Sequence, residues 1–343
     1  MNQLLVTLRF YATGSFQLVI GDTFHIDKST TCRIVHRVTR AIAALRPQYV
    51  YFPATDQQRY DVMQTFYARS GLPGIIGAID CTHVAIQSPG SDIGEIYRNR
   101  KGYFSVNVQL VCDSSGFIAD VVARWPGSVH DSTIFDNCNL RARFETSALQ
   151  GYLVGDSGYA CRSYMLTPVT NPTTPAETGY NNAHATARNC IERTNGILKR
   201  RFPILKYGIR LHIDNTLPVI VATAVLHNIA VTVGDEEPAD DEDLAAHMAH
   251  RRHELLADDY DEQTVQPPAA VNFPGATGMR RTIIDNFFWL SWNCYWHLWQ
   301  HICAVIVGAK MSQSSDVNSA LSLYESHSPY ETCNILEYQP RLL

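Results

Sequence analysis

The chain has 343 residues, 45% hydrophobic and 18% charged, the composition of a soluble globular protein with one large or two modest cores. Its nine cysteines are scattered with no CxxC pair, which excludes a paired zinc site, and Cys81, Cys112 and Cys190 read as buried thiols in a reducing compartment. A net charge of −5 argues against a nucleic-acid partner, but residues 235–262 hold 12 Asp/Glu and two Arg/Lys, and removing them from the totals of 33 acids and 28 bases leaves 21 against 26, a mildly basic remainder that fits a polyanion.

The opening run, Met1 to Leu8, is too short for a secretory signal and lacks a cleavage site. Asn2 to Tyr11 and Phe16 to Phe24 read as short helices. Asp27 or Ser29 then caps a third through Thr31, Ile34, Val35, Val38, Ile42 and Leu45. Short helix, tight turn and longer helix give the outline of a helix-turn-helix, which any small helical bundle shares. After the linker at Phe52-Pro53, Gln57 to Ser70 is a further helix. The period then changes. Ile75 to Ile86, Phe104 to Cys112 and Phe117 to Trp125 read as strands, the last two joined by a hairpin turn at Asp113 to Gly116. A helix over His130 to Phe144 and a fourth strand over Gly151 to Gly155 follow. Thr167 to Pro175 reads as loop. Beyond it, His184 to Leu205 has an apolar stripe of Ile191, Ile197, Leu198 and Phe202, and Pro203 ends it. Thr216 to Val233 is an apolar helix buried by its composition. Gly234 to Gln266 is acidic and flexible. This order predicts an α/β fold, an RNase H-like mixed sheet with flanking helices, preceded by a small helical region.

Three carboxylates stand out against that frame. Asp80 is the only charge inside its strand, and a buried acid without a partner is costly. Its bland reading is an acid paired with a buried base or with His83. Asp156 follows the fourth strand in GDSGYA, where a turn acid is equally at home. Glu192 is the one acid on a helix crowded with Arg188, Arg193, Lys199, Arg200 and Arg201, and alone it would be read as an i,i+4 ion-pair partner. If the first and fourth strands are neighbours, Asp80 and Asp156 face each other, and Glu192 comes over that edge to complete an oxygen-only site for Mg²⁺ or Mn²⁺. Asp131, where the third strand passes into a helix, is either that helix's cap or a further metal ligand. Such a site activates water and stabilises the leaving oxygen of a phosphodiester. Arg98, Arg100, Lys101, Lys199, Arg200 and Arg201 are candidate phosphate contacts, each otherwise a solvated surface charge.

GLPGIIGAIDCTHVAI (71–86), NRKGYFSVNVQLVCD (99–113), WPGSVHDSTIF (125–135), LVGDSGY (153–159), TPAETGYNNAHATARNCIERTNGILKRRFPIL (174–205) and VLHNIA (225–230) together resemble the Harbinger transposase-derived nuclease family, the PIF/Harbinger DDE endonucleases. The resemblance runs from about residue 4 to about residue 288. It implies an RNase H-like nuclease core with Asp80, Asp156 and Glu192 as catalytic triad and Asp131 as a further acid associated with a divalent metal cation. It also implies action on DNA in the nucleus, with a separate Myb-like or trihelix protein supplying targeting. The expected organisation is a truncated helical, helix-turn-helix-like region over 1–50 and an RNase H-like DDE nuclease domain over 51–233. An acidic flexible segment with the family's C-terminal end covers 234–286, and a Trp-rich hydrophobic helix and polar tail cover 287–343.

The competing expectation is a catalytically silent domesticated transposase, a DNA- or protein-binding module. The tail adds another. Residues 287–309 contain no Asp, Glu, Lys or Arg and carry tryptophans at 289, 292, 296 and 299, which is long enough to span a bilayer. Asn293, His297, Gln300 and His301 interrupt the run, so a membrane-attached helix, a helix packed on a partner or the core, and a non-native extension all stand as readings.

Overall fold

An eleven-residue strand, β1 (Ile75–Ala85), runs through the middle of a mixed sheet. It is followed in antiparallel fashion by β2 (Ser105–Cys112) and β3 (Ile118–Pro126), while β4 (Tyr152–Val154) and β5 (Met165–Leu166) lie parallel on its other side, giving a five-stranded order of β3-β2-β1-β4-β5. The computed structural model of the protein describes residues 2–90, 93–238 and 275–288. The first half of β1 is fully buried because helices cover both faces of the sheet. Gly77 sits where β1 is squeezed between its neighbours: a Cβ there would lie 2.7 Å from Val111 Cγ1 and 3.1 Å from Leu153 Cδ2. The core on one side gathers Ile76, Ile79, Val111, Leu153, Phe135, Phe144, Tyr159 and Met165.

The N-terminal helices are α1 (Asn2–Thr13), α2 (Gln17–Phe24), α3 (Lys28–Ala44), the short α4 (Arg46–Tyr49) and α5 (Asp56–Ser70). The segment expected as one helix over His130 to Phe144 is two, α6 (Asp131–Asp136) and α7 (Asn139–Glu145). Cys138 between them is extended, and the Asn137 carbonyl accepts from Arg124 Nη2 at 2.8 Å instead of a helical amide. Helix α8 (Pro175–Arg201) begins well before His184. Thr174 and Glu177 form a reciprocal capping box, with Pro175 in the first turn, so the Pro/Thr-rich stretch is loop as expected up to Thr174 and its last residue opens the helix. The short α9 (Ile204–Tyr207) and the long α10 (Ile213–Thr232) follow, then α11 (Ala276–Ile283).

Helix α10 is apolar enough to cross a membrane by length and composition, but it packs on α3 and β3 and buries Val219, Ile220, Ala222 and Val225. Its His227 and Asn228 explain the VLHNIA stretch. Asn228 Nδ2 donates to the Ile118 and Tyr49 carbonyls at 2.7 and 2.6 Å, its Oδ1 accepts from Ile118 N at 2.8 Å, and His227 Nε2 meets the Gly116 carbonyl at 3.0 Å. The helix thus grips the β2–β3 hairpin, whose turn is closed by Asp113 Oδ1 accepting from the Ser115 and Phe117 amides.

Residues Met1–Asp285 form one compact unit, and of the second, Asn286–Leu343, the described residues are 286–288, the end of a π-helical turn. The Trp-rich run and polar tail from residue 289, with the readings attached to them, and residues 239–274 of the acidic segment lie outside the described residues.

Candidate active site

Parallel pairing of β1 with β4 decides where the carboxylates go. Ala78 is in register with Val154, so Asp80, midway along β1, and Asp156, just past the end of β4, stand two residues beyond the same rung. Asp156 has left the strand for a turn in which its Oδ1 accepts from Gly158 N at 2.9 Å. Asp80 remains in β1 and faces α8.

Helix α8 presents a stripe to that face. Arg188, Glu192, Asn195 and Lys199 recur at helical spacing along it. Asn195 Nδ2 donates to Asp80 Oδ2 at 3.1 Å. Arg188 reaches both acids, with Nη2 at 3.5 Å from Asp80 Oδ1 and Nη1 at 3.2 Å from Glu192 Oε1. Glu192 therefore stands over the strand edge through a guanidinium, its side chain 56% exposed against 20% for Asp80. Lys199 Nζ bonds Thr82 Oγ1 at 2.5 Å and the His83 carbonyl at 2.9 Å, pinning the end of β1 to α8.

Asp131 arrives from the other side. It lies in the first turn of α6, behind His130, the N-cap, whose side chain makes no cap bond. Its Oδ1 accepts from Asn107 Nδ2 at 2.9 Å, and Asn107 is the cross-strand partner of His83. Strand alternation places Cys81 and His83 on that face and Asp80 and Thr82 on the face of α8. Cys81 Sγ in turn contacts the buried Tyr159 hydroxyl at 3.3 Å.

The electrostatics follow from this crowding. Burial raises the Asp80 carboxyl to about 6, Arg188 opposes the rise, and the charges of Asp156 and Asp131 add to it. Lys199 is pushed down to about 8 by burial, with Lys101 contributing. Burial also lowers His83 and raises Cys81. Among the described residues, no three His, Cys, Asp or Glu side chains converge closely enough to hold a metal ion. The side chains are gathered at one sheet edge, with a guanidinium between two of the acids.

The candidate phosphate contacts divide. Lys101 is exposed beside the site. Arg98 is paired with Glu95 at 2.8 Å, donates to the Gly102 carbonyl at 2.8 Å and stacks over Phe104. Arg100 lies against the His130 ring. Lys199 points inward to β1, Arg200 is half-buried, and Arg201 is paired with Asp235. Sequence reasoning treated Arg188 as one of several surface bases and gave Asn195 no role. Their offsets from Glu192, one turn before and one turn after, were the available signal.

Residues 79–228 match the DDE superfamily endonuclease family. The chain is 38% identical over 237 residues to "Putative nuclease HARBI1" of Rattus norvegicus and 36% identical over 237 residues to its namesake in Homo sapiens, covering 68% of this chain and of each relative. It is 28% identical over 261 residues to "Protein ALP1-like" of Arabidopsis thaliana, covering 71% of this chain and 63% of that one. No solved structure matches. The pairing of β1 with β4, the helix that lies over Asp80, and these identities along most of the chain lead to one conclusion: the protein belongs to the Harbinger transposase-derived nuclease family and carries a DDE superfamily endonuclease domain.

Proposed function

We propose that the protein is a divalent-metal-dependent DNA endonuclease that hydrolyses phosphodiester bonds on an RNase H-like scaffold. The observation that carries this reading is Asp80. It is a largely buried carboxylate two residues beyond the last β1–β4 pair, with a second acid just past the end of β4, and it is overlain by a helix bearing a third. Burial raises its pKa first, and the neighbouring charges of Asp156 and Asp131 add to the rise against Arg188. By its chemistry the donor set suits a hard cation: the acids offer oxygen alone, and Arg188 already places a positive charge against two of them, Asp80 and Glu192.

Asp80, Asp156 and Glu192 would hold Mg²⁺ or Mn²⁺, with Asp131 reaching the edge from the opposite face. Such ions, when bound, activate water and stabilise the leaving oxygen of an in-line displacement. The chain's own residues do the rest. Asn195 fixes the orientation of Asp80, Lys199 holds the end of β1 against α8, and the exposed Lys101 attracts the phosphate backbone. The reading carries with it nuclear action on DNA and a separate Myb-like or trihelix protein for targeting, both supported by the family resemblance alone.

Plasmid nicking tests it. The full chain should nick supercoiled DNA with Mn²⁺ or Mg²⁺. Asp80→Ala and Glu192→Ala should each lose at least about a hundredfold, the scale of removing a group that acts only in the transition state. A folded variant that nicks at the wild-type rate contradicts the proposal. A wild type that shifts DNA on a gel and releases no product establishes the silent binding module instead.

A further inference from the structure

The chain supplies its own cation at the carboxylate edge. Arg188 spans Asp80 and Glu192, yet neither contact is a close bidentate pair: its two terminal nitrogens go to different acids, at 3.5 and 3.2 Å, and its Nε is buried with no hydrogen-bond partner. A guanidinium that served only to tie helix to strand would be expected to grip one carboxylate with both nitrogens. This one is shared, its side chain only 16% exposed, and it sits between acids that come from different elements of the fold. Its hold on Asp80 is the longer of the two contacts. Asn195, one turn beyond Glu192, keeps its own bond to the far oxygen of Asp80, so the carboxylate does not swing away when the arginine lets go.

We propose that Arg188 is a positioning residue that stands in for the divalent cation in the metal-free protein, holding Asp80 and Glu192 in place with their charges compensated and yielding Asp80 when the cation enters. The inference rests on the metal-dependent reading above. Arg188 and the cation then compete for the same carboxylate oxygens. The competition lowers metal affinity and keeps the metal-free site from flying apart by acid–acid repulsion.

The test is direct Mn²⁺ binding by the full chain, followed by the paramagnetic signal of free Mn²⁺, together with thermal unfolding with and without Mn²⁺. Arg188→Gln should bind Mn²⁺ more tightly by roughly three- to tenfold, the scale of a partly buried ion pair that no longer has to be broken. Its metal-free form should melt lower than wild type, and Mn²⁺ should raise its melting temperature by more. A merely structural arginine would lower stability without tightening the metal, so Arg188→Gln with unchanged or weaker Mn²⁺ binding overturns the proposal. If that variant does not fold, Arg188→Lys keeps a charge that reaches one acid at a time. It should bind Mn²⁺ more tightly than wild type, and binding at or below wild type is the overturning result. Asp156→Asn separates the two levels. If wild type binds Mn²⁺, Asp156→Asn does not and Arg188→Gln equals wild type, this inference alone falls. If wild type binds none, the metal reading falls and takes the inference with it.

Discussion

His184 is 2% exposed, and its Nε2 meets the Leu166 carbonyl at 3.1 Å, holding α8 against the strand beside the site. Burial pushes its pKa down from 6.5 to about 4, the carbonyls of Leu166 and Gly155 working against the shift. The unfolded chain takes up that proton below about 6.5 and the folded chain only below about 4, so stability falls as pH drops through this window, by up to about 3 kcal/mol. His184→Gln keeps a donor and does not titrate. Urea melts between about pH 7 and pH 4 should therefore show a shallower loss for the variant than for wild type. Parallel curves would mean that His184 charges without penalty. At this scale the sequence was readable where a rule of strand geometry applied. Asp80 and Asp156 each lie two residues beyond the Ala78–Val154 pair, past a register shift between Ile75 and Gly77. Arg188 was not readable, because an i,i+4 pair with Glu192 looks the same on any surface helix; only the arrival of Asp80 from another element gives it meaning.

Among the elements, α8 and α10 do different work. Helix α8 supplies the polar stripe over β1, and α10 supplies the grip on the β2–β3 hairpin. Asn228→Ala removes three hydrogen bonds at once, two of them fully buried, and leaves backbone groups of Ile118 and Tyr49 short of partners. The expected cost is about 2–4 kcal/mol in chemical denaturation, with the carboxylate-bearing face of β1 untouched. A loss within about 0.5 kcal/mol, that of an ordinary surface change, would show that the hairpin does not depend on it. The long strands and the apolar helix were legible from their period. The start of α8 was written in Thr174-Pro175-Ala176-Glu177, a capping box whose proline and threonines also read as loop. The two-residue β5 was not legible, since nothing so short carries a period; the bond from Leu153 N to the Tyr164 carbonyl and the pairing with β4 create it. Asp131 illustrates a third limit. The sequence gives its distance along the chain from Asp80 but not the sheet face it reaches, which depends on Asn107 and the hairpin register.

Over the whole molecule, charge is segregated. The acids of residues 235–262 offset a mildly basic remainder, and the start of that run lies on the base-rich end of α8: Arg193 is paired with Glu237, and Arg201 with Asp235 while donating to the Glu236 carbonyl at 3.0 Å. A net charge of −5 is thus compatible with a face that meets a polyanion. The central claim is narrower than the charge balance: the acids on β1, after β4 and on α8 form one divalent-cation site that cuts DNA. It is tested most directly by titrating Mn²⁺ into the wild-type chain and its Asp156→Ala variant, with both assayed on supercoiled plasmid at matched metal concentration. The account predicts that wild type binds Mn²⁺ and nicks, and that Asp156→Ala stays folded and does neither. A folded wild type that neither binds nor nicks, or a variant that does both as wild type does, would contradict it.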